Sequence, residues 1–261
     1  VQPIRPAAPY LGGKRNLARR LVALIETIPH RTYAEPFVGM GGVFLRRRSR
    51  PDAEVINDWS RDVATFYRVL QRHYAAFLDM LRFQITTRAE FERLSAVDPE
   101  TLTDLERSAR FLYLQRTAFG GKVDGRNFGV SRHQGGRMNM LKLATILEDL
   151  HERLAGVIIE RLDFEAFLTR YDSPETLFYL DPPYYGGEHD YGRDLFERSD
   201  FHRLAEALGR LKGRFVLSIN DRPQIRSAFA KFSLEEVETT YSVQGGGGQR
   251  AAELIITQLT R

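Results

Sequence analysis

Apolar positions recur along this chain with two periods, and the places where the period changes mark its elements. Leu17, Leu21, Leu24, Ile25 and Ile28 share one face at helical spacing, which predicts an amphipathic helix over residues 14–28, ended by Pro29. Tyr33-Ala34-Glu35 reads as a short strand, Gly39-Met40-Gly41-Gly42 as a turn into a second helix, and Glu54-Val55-Ile56-Asn57 as a second strand with Asp58 at its tip. A helix over residues 61–72 follows, and the strand–turn–helix–strand order predicts a right-handed parallel unit. From Ala76 to Leu154 the pattern becomes mainly helical, with helices near 88–94, 102–117 and 141–154. The glycine-rich stretch 120–129 interrupts them, a loop or a hairpin with Asp124-Gly125 at its turn. After Gly156 strands (157–159, 177–180, 215–219) alternate with helices (164–169, 201–211), and two strands near 234–240 and 253–258 close the chain. The expected architecture is an α/β core of Rossmann-like type from residues 1–75 and 155–261, interrupted by a mainly helical insert over 76–154.

Composition narrows the chemistry. With 261 residues, 43% of them hydrophobic, the chain can bury a sizeable core as one large domain or a domain with an insert. Absence of cysteine excludes disulfides, thiolate zinc sites and a Cys nucleophile. The apolar runs are only a few residues long, so neither a signal peptide nor a membrane span is expected, and the expected location is cytoplasmic. A net charge of +4 hints at a polyanionic partner only if the charge is clustered. It is: residues 107–142 hold eight Lys/Arg against one acid, Asp124, inside the predicted insert. A second run, Arg46-Arg47-Arg48-Ser49-Arg50, is expected to be a solvated helix end whose cations offset the dipole.

The densest chemical signal is Asp181-Pro182-Pro183-Tyr184, closing the apolar run Thr176–Leu180. The prolines fix φ and carry no N–H, so the Pro182 carbonyl can serve as an outward acceptor. Asp181 adds a second acceptor and Tyr184 a flat ring, a set that suits a planar heterocycle bearing an amine. A plain turn after a core strand is the competing reading. Gly39 and Gly41 let backbone approach a ligand, but Phe44 stands three residues after Gly41, so the full dinucleotide fingerprint is missing. Asp58 follows the next strand at about the distance at which an acid meets ribose hydroxyls, and Glu35-Pro36-Phe37 opens the loop with an acid that suits a cationic ligand. S-adenosylmethionine, a nucleoside with a positive amino-acid tail, fits these three features better than NAD. Gly12-Gly13-Lys14 lacks the upstream glycine and the following Ser/Thr of a phosphate loop, leaving Lys14 as a carboxylate partner or a surface lysine. Asp163-Phe164 offers an acid and an aromatic to a purine, or Asp163 simply caps a helix. Asn220, at another strand end, either shapes the pocket or begins a turn.

Taken together, these residues resemble the Dam-like DNA adenine-N6 methyltransferases. Tyr10-Leu11-Gly12-Gly13-Lys14 is similar to that family's N-terminal cofactor motif, and Glu35-Pro36-Phe37-Val38-Gly39-Met40-Gly41 to its S-adenosylmethionine loop. Asn57-Asp58 resembles its ribose-binding acid, Asp163-Phe164 its adenine-contacting pair, and Asp181-Pro182-Pro183-Tyr184 its catalytic motif. The likeness spans essentially the whole chain in the family's order. It implies S-adenosyl-L-methionine as methyl donor, double-stranded DNA as partner, no metal and no membrane, and transfer to a flipped adenine. It makes the insert a target-recognition region, with Arg116, Lys122, Arg126, Asn127, Arg132 and Arg137 as its DNA-binding candidates. There the chain departs from the pattern, since Gln115-Arg116-Thr117-Ala118-Phe119-Gly120-Gly121 only loosely resembles the family's stretch, and no target sequence carries over. Two alternatives stay open: a cytosine-N4 methyltransferase, whose motif begins with Ser rather than Asp, and a non-catalytic DNA-binding protein on the same fold.

Overall fold

Short apolar runs become the parallel centre of one sheet. The computed structural model describes residues 2–10, 14, 17–123, 125–129, 135–188, 195–241 and 249–259. Its strands are β1 (Thr32–Glu35), β2 (Ala53–Asn57), β3 (Ile158–Glu160), β4 (Thr176–Leu180), β5 (Arg214–Asn220), β6 (Ser233–Tyr241) and β7 (Gln249–Thr257), in the order β3-β2-β1-β4-β5-β7-β6. The first five run parallel, and β7 lies antiparallel between β5 and β6. The chain moves outward from β1 to β2 and β3, then recrosses to β4 and β5 on the other side. Connections leaving β1 and β4 therefore part to opposite sides, which opens a crevice above their carboxyl ends.

Both faces of the sheet are covered, which is why its central strands read as unbroken apolar runs rather than alternating ones. All five residues of β4 are buried; Leu177 and Tyr179 join the core on one face, Phe178 and Leu180 that on the other. The first core gathers α1 (Ala18–Thr27), α2 (Arg61–Arg72), α3 (Tyr74–Leu81), α4 (Arg88–Ala96), α5 (Asp104–Thr117) and α6 (Met140–Arg153). The second gathers α7 (Phe164–Tyr171), α8 (Asp200–Gly209) and α9 (Pro223–Ala228).

Three expectations about elements change. The helix expected after the glycine turn is a single 3-10 turn, Phe44–Arg46. Val43, Phe44, Leu45 and Arg47 are all buried there, on too many sides for a one-faced surface helix, and the Leu45 carbonyl accepts the Ile4 N–H instead. Helices α3 and α9 were not expected; α3 is separated from α2 by His73 alone, and α9 starts on a proline. The Arg46–Arg50 run is solvated only in part: Arg48, Ser49 and Arg50 are exposed, but they follow a single 3-10 turn. Arg47 is fully buried with Nη1 2.8 Å from Glu54 Oε1, and Arg153 of α6 reaches the same carboxylate at 2.6 Å.

The segment between α2 and β3 shares the sheet's core at both ends. α5 is buried along almost its whole length and starts with a capping box between Thr103 and Glu106. Beyond it the chain folds back: Phe119 N–H donates to the Asn127 carbonyl and Gly129 N–H to the Thr117 carbonyl, both at 2.8 Å. This is the expected hairpin-like closure, with Gly125 at φ +56°; Asp124 lies outside the described residues. Among the described residues no helix is long and apolar enough to cross a membrane, and no cluster of metal-ligating side chains occurs.

Candidate active site

The ends of β1 and β2 build the first wall of the crevice. Asn57 ties three strand exits together: Nδ2 donates to the Pro36 and Leu162 carbonyls at 2.9 and 3.0 Å, and Oδ1 accepts the Leu162 N–H at 2.7 Å. Asp58 then accepts the N–H groups of Gly39 and Ser60, each at 2.9 Å. Burial raises its carboxyl to about 6, against the lowering effect of those two bonds. Gly39 (φ +48°) needs its missing side chain twice over, because a Cβ there would stand 2.9 Å from the Tyr10 ring. Gly41 (φ +74°) has the same constraint against Leu45.

Two adjoining clefts share Tyr10, Phe37, Gly39 and Asp181. The narrower, about 60 Å³, adds Asp58, Trp59, Pro183 and Phe196; the wider, about 640 Å³, adds Lys14, Glu35, Met40 and Arg116. Phe164 is buried behind this wall, its ring 5.8 Å from that of Phe37 and 5.9 Å from that of Phe196. Asp163 lines neither cleft: it caps α7 through the Glu165 N–H at 2.9 Å and pairs with Arg203 at 2.6 Å. Gly12 lies outside the described residues.

Across the crevice, Asp181 stands at the carboxyl end of β4, its side chain 21% exposed. Lys14 Nζ, nearly inaccessible, lies 3.1 Å from Asp181 Oδ1, 2.9 Å from Glu253 Oε2 and 2.5 Å from the Tyr184 hydroxyl. Tyr184 donates in turn to Glu253 Oε1 at 2.8 Å, and Lys14 Nζ lies beside the hydroxyl edge of the Tyr184 ring, 4.3 Å from its centre. Burial raises the Asp181 carboxyl to about 7; Lys14 lowers it and the negative Glu253 raises it. Asn220 grips the next residue, accepting the Tyr185 N–H at 2.9 Å and donating to its carbonyl at 3.0 Å. Pro182 and Pro183 are buried.

Glu35 lies at the floor of the wider cleft, 1% exposed. Its Oε2 accepts from Tyr33 at 2.8 Å, and it makes no ion pair among the described residues. Burial, with the Asp181 charge in support, raises its carboxyl to about 8 although the Tyr33 bond lowers it. A buried acid lacking a contacting cation, facing a cleft beside a glycine cradle, fits a ligand with a positive group.

The basic segment divides. Arg116 donates from Nε and Nη2 to the Arg137 carbonyl at 3.0 and 2.8 Å and also to the Ala7 carbonyl, while Arg137 Nη1 donates to the Ala118 carbonyl at 2.8 Å. Arg107 pairs with Asp62 and Glu100, and Arg110 donates to the Leu94 carbonyl. Lys122 and Asn127 are exposed, and half-buried Arg126 donates to the Lys122 carbonyl at 3.2 Å; Arg132 lies outside the described residues. Sequence reasoning missed Glu253, whose signal is an acid directly before Leu254-Ile255-Ile256, and Trp59 and Phe196 in the narrow cleft.

The chain matches the sequence profile of the D12 class N6 adenine-specific DNA methyltransferases over residues 10–243. It is 23% identical to the type II methyltransferase M.CviBI of Paramecium bursaria Chlorella virus NC1A, covering 98% of each chain. It is 26% identical to the type II methyltransferase M1.LlaDCHI of Lactococcus lactis subsp. cremoris, covering 97% of this chain and 95% of that one. The DNA N-6-adenine-methyltransferase of Escherichia phage P1 is 26% identical over 95% of this chain and 35% of its own length.

Proposed function

The chain belongs to the D12 class of N6 adenine-specific DNA methyltransferases, and from that premise we propose how its own residues carry the reaction and which of them meet DNA. Its activity is transfer of a methyl group from S-adenosyl-L-methionine to the N6 amine of adenine in DNA. The observation that carries the assignment of roles is Asp181, on the far side of the switch point, lining one cleft with Phe37, Gly39 and Asp58.

The donor supplies an electrophilic sulfonium methyl when bound. Phe37, with Phe164 behind it, and Tyr10 flank its purine; Asp58, held by two backbone N–H groups, meets the ribose hydroxyls; Glu35 answers its positive tail. Adenine's amine is a poor nucleophile because its lone pair delocalises into the ring. Lys14 occupies Asp181 Oδ1, and Oδ2 has no partner among the described residues, so it can accept one amine hydrogen while the Pro182 carbonyl accepts the other. That geometry favours a pyramidal nitrogen, and Asp181 stabilises the positive charge developing there. No covalent enzyme intermediate is needed. Tyr184, its hydroxyl held by Lys14 and Glu253, stacks its ring on the base. The target must leave the duplex to reach this pocket, at a cost of about a few kcal/mol of unstacking.

The segment 76–154 acts as the target-recognition region on double-stranded DNA. Lys122, Arg126 and Asn127 meet the duplex, and Arg116 and Arg137 hold their loop in shape. The chain then works in the cytoplasm as the site-specific modification arm of a restriction–modification system. Long-read sequencing of DNA from cells expressing the chain tests this. N6-methyladenine is expected in one sequence context and is expected to vanish with Asp181→Ala. Methylation that ignores context, or that survives the substitution, would overturn the reading.

A further inference from the structure

Glu253 comes from the last strand, outside every motif of the transfer site, yet both of its carboxylate oxygens are committed there. Oε2 takes Lys14 at 2.9 Å and Oε1 takes the Tyr184 hydroxyl at 2.8 Å. Lys14 has three N–H donors, and three acceptors surround it: Glu253, Asp181 and Tyr184. An ammonium hydrogen-bonded to Glu253 and Tyr184 and ion-paired with Asp181 is held in place, and it holds Asp181 Oδ1 in turn. In the β5–β7 register Glu253 lies opposite Asn220, the residue that grips Tyr185 at both its N–H and its carbonyl. This antiparallel pair thus holds the two residues that follow Pro183 from one side. The Glu253 side chain is 1% exposed, and a carboxylate so buried persists only with partners of this kind.

Resting on the reading of Asp181 as the acceptor of the adenine amine, we infer that Glu253 is a positioning residue of methyl transfer: it anchors Lys14 and Tyr184 so that Asp181 presents its second oxygen to the base. It also sets the charge that Asp181 feels. Among the described residues the charged and titratable groups facing Asp181 are Lys14, Glu253, Glu35, Tyr179 and Tyr184, and one cation there serves two contacting carboxylates. Glu253→Gln keeps the shape and removes one negative charge, so Lys14 then serves Asp181 alone.

The test uses the full chain, tritiated S-adenosylmethionine and a long duplex DNA free of methyladenine. In Glu253→Gln, kcat is expected to fall about 10- to 100-fold, the scale of a 1 Å misplacement. The acid limb of its pH profile is expected to move down by about 1 unit, because Asp181 ionises more readily without the second acid. Cofactor affinity by calorimetry is expected to stay within about threefold. Wild-type kcat with an unmoved limb would overturn the inference, as would a lower kcat with an unmoved limb, the mark of a merely structural role. Should Glu253→Gln fail to fold, Glu253→Asp withdraws the carboxylate by one methylene and keeps the charge. It is expected to lower kcat with little shift of the limb; wild-type kcat there would overturn the inference. Titration of the Asp181 carboxyl by carbon-13 NMR reads the same link without activity. A chain that transfers no methyl but shows the Asp181 shift in Glu253→Gln would refute the functional reading and leave the link standing; an active wild-type chain without the shift would do the reverse.

Discussion

Charged side chains are buried in two regions of this molecule, and they differ in what meets them. In the helical segment and beneath it, each buried guanidinium meets carboxylate or carbonyl acceptors, although the Nε atoms of Arg47, Arg107 and Arg153 have no acceptor among the described residues. Glu54 receives Arg47 and both terminal nitrogens of Arg153, Arg107 spans Asp62 and Glu100, and Arg116 is bound to two carbonyls. In the crevice, half-buried Asp58 and Asp181 and fully buried Glu35 have too little positive charge around them, and their carboxyls rise to about 6, 7 and 8. Cations held by matching partners serve as scaffold. Acids left short of partners are held ready for a ligand.

The largest effect should come from the crevice. Asp181→Ala is expected to lower methyl transfer by about 1,000-fold or more while S-adenosylmethionine binding stays within severalfold, read by tritium incorporation and calorimetry. Near-normal turnover would erase the distinction. On the scaffold side, Glu54→Ala leaves two buried guanidinium groups unpaired and should cost about 3–5 kcal/mol in urea unfolding.

A pH experiment addresses the crevice acids together. Their folded pKa values lie above the unfolded ones, so the folded state holds extra protons. The stability this contributes is complete below about pH 4 and is lost as pH rises through about 6 to 8. Unfolding free energy of the free chain should therefore fall between pH 6 and 8, by on the order of 2 kcal/mol from Glu35 alone, and Glu35→Gln should flatten that slope in urea titrations at the two pH values. An unchanged slope would remove Glu35 from the under-compensated set.

The smallest effects should separate the two kinds of basic residue. Neutralising Lys122 or Arg126 is expected to weaken duplex binding and reduce the salt slope by about 1 each, measured by fluorescence anisotropy across ionic strengths. Arg116→Ala should instead cost about 1–3 kcal/mol of stability, because three carbonyl bonds go with it. A lower salt slope in a fully stable Arg116→Ala would move that residue into the DNA interface.

Much of this was legible along the chain. Apolar runs fixed β1, β2, β4 and β5 to within a residue or two, and the glycine positions and Asp181-Pro182-Pro183-Tyr184 marked the strand ends where ligands gather. These are local properties: period, backbone freedom and the chemistry of adjacent residues decide them. Which charges were inside was not local. Arg47 and Arg116 read as surface cations because their partners, Glu54 with Arg153 and the Ala7 and Arg137 carbonyls, lie elsewhere in sequence or on unmarked backbone. Glu253 stands 239 residues from Lys14, and only the antiparallel register of β5 and β7 brings it beside the motif. Local pattern along the chain thus set the elements and the candidate chemistry. Which charges are compensated was set by the folded packing, because pairing depends on distances that periodicity along a chain does not encode.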